Sequence, residues 1–207
     1  MIEIKAQNIE KKYGTKRVLT GIDFHYQSSV LGIAGSNGSG KSTLLKMLSG
    51  LLKPTSGNIF WNIDGADFLP KAISPYLGFA APYIQLYEEL TVEENLRFLV
   101  NLQKNSVIED LNALLSRFEV KKFRNSLYGN LSTGQQQRVK LASTVIKNPS
   151  ILMLDEPGSN LDEKGKVLIQ SLVQSFREDE RMVIIASNQT DELDMCDHQI
   201  DLNNLKN

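Results

Sequence analysis

The sequence predicts an α/β fold in which one phosphate-binding loop sits between a buried strand and a helix, with an antiparallel β layer towards the N-terminus and an inserted helical block. Three observations predict it. The run VLGIA leads into GSNGSGKST, Gly35 to Thr43, and then into the helical stretch KSTLLKMLSG, which is the strand–loop–helix context that the pattern G-x-x-x-x-G-K-[ST] requires. IEIKAQNI and much of VLTGIDFHY alternate apolar and polar residues, as half-buried strands do. From Thr91 to about residue 147 a helical period replaces that alternation.

Taken in order, the two N-terminal strands flank Tyr13, whose ring lies on a turn beside Gly14. The first helix runs over 41–49 and stops at Gly50, and KPTSG turns into the strand GNIFWNIDG, with Trp61 read as core. SPYLGFAA is a short apolar strand reaching Pro82. In the helical block, TVEE at Thr91 and SVIE at Ser106 are capping boxes, and Ser132 with Gln135 in LSTGQ is a third. SILMLDEP is a buried strand, Asp162 caps a long helix, and MVIIAS is the last strong strand, followed by Asn188 and a short helix ending near Cys196. Residues 1–207 read as a single domain: about 1–90 and 148–207 form the core lobe with its β layer, and about 91–147 a helical lobe.

The chemistry concentrates at the loop. Gly35, Gly40, Lys41 and Ser42 occupy the fixed positions of the pattern, and Ser36, Asn37, Gly38 and Ser39 fill the span between them. Glycines let successive amides from Gly38 to Ser42 turn inward onto phosphate oxygens, and the helix that starts near Lys41 adds its positive end. Lys41 supplies a point charge for the outer phosphates, Ser42 a hydroxyl for Mg²⁺, and Thr43 lies near the inner phosphates. Asp155 and Glu156 end a buried strand, where ligands of an α/β sheet are met: Asp155 to hold hydrated Mg²⁺, Glu156 to polarise an attacking water. Ser132 followed by Gly134 leaves amides at a helix start that can take an anion.

Composition narrows the setting. With 207 residues, 41% hydrophobic and a net charge of −1, the chain buries a real core and lacks the clustered positive excess that nucleic acid requires. KKFR, 121–124, reads as a solvated helix end. The single Cys196 excludes an internal disulfide framework. No apolar run has the length of a signal peptide or a membrane span, so a cytosolic protein is expected, with a partner supplying any membrane part.

In order, GSNGSGKS, LSTGQ, ILMLDEP and SNLD resemble the ATP-binding cassette (ABC) ATPases, the nucleotide-binding subunits of ABC transporters. The likeness covers nearly the whole chain, and LSTGQ is its specific part. It implies a P-loop NTPase (RecA-like) core, ATP and Mg²⁺ as ligands, and a head-to-tail pair of cassettes, homo- or heterodimeric. Each ATP lies between one subunit's phosphate loop and the other's Ser132, Gly134 and Gln135. It also implies that Tyr13 stacks on adenine, Glu156 is the general base, Asp162 crosses the dimer interface, and the region LYEELTVEENL meets a transmembrane permease that keeps the protein at the inner face of the membrane.

Two positions depart from the family pattern. Pro82 stands where a glutamine is usual, with Gln85 three residues on, and Asn188 stands where a histidine usually reaches the γ-phosphate. Proline offers no side-chain amide, and asparagine keeps a neutral donor but cannot carry charge. ATP binding and hydrolysis through Glu156 are therefore expected to persist, with slowed turnover. The competing readings are a soluble ABC-type ATPase outside transport and a weakly hydrolysing regulatory cassette.

Overall fold

The computed structural model describes residues 1–27, 30–102 and 110–204. The chain runs through β1 (Ile2–Tyr13), β2 (Lys16–Tyr26), β3 (Val30–Ala34), α1 (Lys41–Leu48), β4 (Ser56–Ile63), β5 (Ala66–Phe68) and β6 (Leu77–Ala80). The helices α2 (Val92–Asn101), α3 (Leu111–Arg117) and α4 (Thr133–Val145) follow. The last part is β7 (Ile151–Asp155), α5 (Glu163–Glu178), β8 (Met182–Ser187), α6 (Thr190–Leu193) and β9 (His198–Asp201).

Two sheets result. An antiparallel one has the order β2-β1-β4-β5, and a five-stranded one, β6-β7-β8-β3-β9, is parallel throughout. The parallel sheet is the middle layer. Alternate side chains along β7 face opposite ways: Ile151 and Met153 pack with α1 and the antiparallel sheet, while Leu152 and Leu154 pack with the helical side and α5. Burial on both faces is why β3, β7 and β8 are continuous apolar runs rather than alternating ones.

The antiparallel layer is joined to the phosphate-loop helix. Trp61 is fully buried and its indole N–H donates to the Leu48 carbonyl at 3.0 Å, so one side chain ties β4 to the end of α1. The alternation of β1 breaks at Asn8, which has φ 48° and whose N–H donates to Asp23 Oδ1 at 2.8 Å; the register shifts there. Gly57 crosses this bulge with φ 85°, and a Cβ on it would stand 2.2 Å from the Asn8 carbonyl oxygen.

Several expectations need correction. SPYL does not open a strand: residues 70–76 form a 3₁₀ helix, with the strand starting only at Leu77. Pro75, which has no N–H to donate to a sheet, lies in that segment. The capping box expected at Ser106 lies outside the described residues, and α3 is capped instead by Asp110, whose side chain accepts from the Asn112 N–H at 2.9 Å. KKFR is not simply solvated: Arg124 is paired with Glu93 across the helical region, Nη2 to Oε1 at 2.7 Å, and its Nη1 donates to Asn112. The boxes at Thr91 and Ser132 are both closed as expected, each cap being worth about 1 kcal/mol.

Candidate functional site

The parallel sheet brings the ends of four strands to one edge. The phosphate loop follows β3, Asp155 ends β7, Asn188 follows β8, and Pro82 comes two residues after β6. This is the carboxyl edge of the sheet, where an α/β fold meets its ligand. An open cleft of about 420 Å³ lies there, lined by Val18, Asn37, Gly38, Gly40, Lys41, Ser42, Thr43 and Glu156.

The loop is held in shape partly by its own atoms and partly by Asn203, whose Oδ1 accepts from the Ser36 N–H at 3.2 Å and the Ser36 hydroxyl at 3.0 Å. Gly38 (φ 79°) and Gly40 (φ 112°) take backbone conformations that side chains rarely adopt, and the Ser39 N–H closes a turn onto the Ser36 carbonyl at 3.0 Å. The Ser39 hydroxyl is buried and has no hydrogen-bond partner. Lys41 is only 5% exposed; its ammonium donates to the Gly35 carbonyl at 2.8 Å and stands 3.2 Å from Glu156 Oε1. The loop thus keeps a cation at the mouth of the cleft with a carboxylate beside it.

Asp155 is 2% exposed, and its Oδ1 is buried without a hydrogen-bond partner. Burial pushes its carboxyl above the usual range; the Ser42 hydroxyl draws it down, the Glu156 charge raises it, and Lys41 and Lys46 lower it. A buried carboxylate oxygen without a partner, next to a serine hydroxyl, is what a hard divalent ion completes. These residues therefore fit Mg²⁺. Among the described residues no cluster of three His, Cys, Asp or Glu could hold a metal. Glu156 follows Asp155 with φ 49°, and its N–H donates to the Ala186 carbonyl at 2.8 Å, which turns the chain out of the sheet at the cleft.

The remaining predicted site residues lie elsewhere. Tyr13 is half exposed at the end of β1, with the Lys11 ammonium 5.2 Å from its ring centre. Ser132 is exposed and bound to its own helix: its Oγ accepts the Gln135 N–H at 3.4 Å, and Gln135 Oε1 accepts the Ser132 N–H at 3.0 Å. Gly134 faces the Asn160 carbonyl, 3.3 Å from where its Cβ would be. Asp162 caps α5 through the Gly165 N–H at 2.9 Å and is ion-paired with Arg138 at 2.9 Å; both bonds hold its carboxyl below the usual range. Within one chain, the LSTGQ helix start therefore does not line the phosphate cleft.

The two departing positions also have definite surroundings. Asn188 Nδ2 donates to Asn37 Oδ1 at 3.1 Å, so it leans on the phosphate loop. Gln85 donates to the Pro82 carbonyl at 3.0 Å, closing its own turn. Tyr83 stands closer to the chemistry. Lys46, one helical turn after Ser42, sits 3.7 Å from its ring centre, and partial desolvation together with the Asp155 charge pushes its phenol upward.

The sequence model of the ABC transporter family matches residues 19–159. The chain belongs to that family. Among its relatives, the probable sulfate/thiosulfate import ATP-binding protein CysA of Chlorella vulgaris is 36% identical over 84% of this chain and 75% of its own length. The uncharacterized ABC transporter ATP-binding protein YybJ of Bacillus subtilis is 32% identical over 97% of this chain and 92% of its own. A solved dimeric bacterial ABC transporter cassette, MJ0796, is 26% identical with a TM-score of 0.81, covering 96% of this chain and 94% of that one. The same cassette solved as a dimer in a post-hydrolysis state with ADP and phosphate gives a TM-score of 0.82.

The protein is thus an ABC ATPase with a P-loop NTPase core. Sequence reasoning located the loop, Asp155 and Glu156, because each stands at a strand end flagged by its own motif. It missed Tyr83, which carries no motif and was passed over in favour of Gln85. Val18 was also missed, being one apolar residue of a strand. Glu192, a buried acid near Glu156, was missed as well: it lies four residues after Asn188, and its contact with Gly158 is a tertiary one.

Proposed function

We propose that this ABC ATPase is the nucleotide-binding subunit of a membrane transporter, working as a pair of cassettes that closes on ATP and reopens after hydrolysis. Residues 91–147 act as the helical lobe through which the pair pushes on a permease at the inner face of the membrane. No helix among the described residues is long and apolar enough to cross a membrane. The observation that carries the reading is the separation of the two ATP-binding elements: the phosphate cleft of one chain is not lined by its own Ser132, Gly134 and Gln135. A second cassette can bring them.

In this reading Lys41 and the loop amides hold the β- and γ-phosphates, and Tyr13 stacks on the base. Ser42 and Asp155 hold Mg²⁺, which when bound neutralises phosphate charge. Glu156 accepts a proton from the attacking water, and Asn188, kept near the γ-phosphate by Asn37, donates a neutral hydrogen bond there. Asp162 lies along the contact between the two cassettes. Import of sulfate or thiosulfate belongs to the relative so named; the substrate of this system is selected by its permease.

The test is Glu156→Gln beside the unmodified protein, with Mg²⁺ and ATP, followed by light scattering and steady-state hydrolysis. ATP binding retained, hydrolysis lost by about 100-fold and a dimer accumulating on ATP is the expected result. Undiminished hydrolysis in the variant would contradict the role of Glu156, and a monomer at saturating ATP would contradict the closing pair.

A further inference from the structure

Glu192 belongs to no motif that the sequence singles out. It lies on α6 and is 4% exposed, and its carboxyl reaches back to the turn that follows Glu156. Its Oε1 accepts the Gly158 N–H at 2.7 Å. The fit is close: a Cβ on Gly158 would stand 2.3 Å from that oxygen. Its Oε2 is buried without a hydrogen-bond partner.

The turn it contacts begins at Glu156. Glu156 leaves β7 with φ 49°, its N–H fixed on Ala186, and the Ser159 N–H returns to the Glu156 carbonyl at 3.2 Å. Pro157 and Gly158 are buried, so the Gly158 N–H needs an acceptor that the protein itself provides. From the other flank, Gln137 of the LSTGQ helix donates to the Pro157 carbonyl at 3.0 Å. The turn is therefore gripped on one side by α4 and on the other by the helix that follows Asn188.

We propose that Glu192 is a positioning residue for ATP hydrolysis, its Oε1 fixing the 156–159 turn and with it the direction of the Glu156 carboxylate. The proposal rests on the reading that Glu156 is the general base. Burial, with the charges of Glu156 and Asp191, favours the protonated carboxyl, while Ser187 and the Gly158 N–H oppose it. Glutamine is its closest mimic in shape: the amide oxygen keeps the acceptor for the Gly158 N–H.

The experiment compares steady-state kinetics and ATP binding for the unmodified protein, Glu156→Gln, Glu192→Gln, Glu192→Ala and Glu192→Asp. Glu192→Gln is expected to keep kcat within about twofold, and Glu192→Ala to lower it by about tenfold or more with the ATP Kd and KM little changed, since a misplaced catalytic group affects turnover before binding. Glu192→Asp keeps the acid but withdraws the oxygen, and is expected to behave like Glu192→Ala; it carries the test where the alanine variant does not fold. Unchanged kcat in both Ala and Asp variants would overturn the proposal. So would a Gln variant as slow as the Ala variant, or a parallel loss of binding and turnover. Residual turnover in Glu156→Gln equal to that of the unmodified protein would instead overturn the reading of Glu156.

Discussion

The phosphate loop and the LSTGQ helix start are both glycine-bearing helix N-termini, yet they are finished to different degrees. At the loop, Gly38 and Gly40 open the backbone, Lys41 is buried with its charge set between the Gly35 carbonyl and Glu156, and Asp155 keeps an unpartnered oxygen beside Ser42. At LSTGQ, Ser132 and Gln135 satisfy each other and face outward. The first is a cradle with its cation, its acid and an unpartnered carboxylate oxygen within one chain; the second is an N-terminus capped by its own side chains. In the proposed reading the difference is a division of labour: this chain carries one nearly complete half of a nucleotide site and, away from the cleft, a small part of a second one.

Breaking the loop has the largest expected effect. Lys41→Ala removes a buried cation and the phosphate contact proposed for it, and ATP affinity is expected to fall by roughly 10- to 100-fold, as read by titration calorimetry. Unchanged affinity would show that the amides alone carry binding. Ser132→Arg is expected to leave the affinity of the isolated chain within about twofold while lowering turnover at least about tenfold, because the bulk acts only where a second chain closes. A matching loss of affinity would place Ser132 in its own chain's site.

Smaller effects sharpen the comparison at the rim of the cleft. Asn188→His gives the group beside Asn37 a charge it now lacks, and turnover is expected to rise about threefold, most clearly below the ordinary histidine pKa of about 6.5. No change in the pH–rate profile would mean that the site does not use that charge. Smallest is the helical region. The Arg124 and Arg97 bonds hold the Glu93 carboxyl down to about 2, so its contribution to stability is present above the ordinary carboxylate range and is lost as pH falls towards about 2. Glu93→Gln is expected to lower the melting midpoint by roughly 2 °C at pH 7 and by much less near pH 2. An equal shift at both would mean packing rather than charge.

How far the sequence could be read follows from the range of each signal. The continuous runs VLGIA, ILMLD and MVIIAS announce doubly covered strands, and Ser132 and Thr91 announce their own caps three residues ahead, so core and helix starts were legible. β5 was not, since three residues, Ala66–Phe68, are too short for a period. The start of β6 was obscured because SPYL is as apolar as a strand while Pro75 forbids one. At the site, Lys41, Asp155 and Glu156 were legible through motifs. Tyr83 and Glu192 were not, because their positions come from the chain crossing back over the sheet edge: Tyr83 to Lys46, Glu192 to Gly158. Those are tertiary contacts with no local spacing.

The division of one nucleotide site between two chains is tested most directly by mixing two inactive variants. Once the unmodified protein is shown to turn over, Lys41→Ala and Ser132→Arg are assayed separately and then together at equal concentration. A mixed pair holds one site built from an intact Lys41 on one chain and an intact Ser132 on the other, so the mixture is expected to recover about a quarter of the unmodified rate per chain. A mixture no more active than the sum of its parts would contradict the shared site.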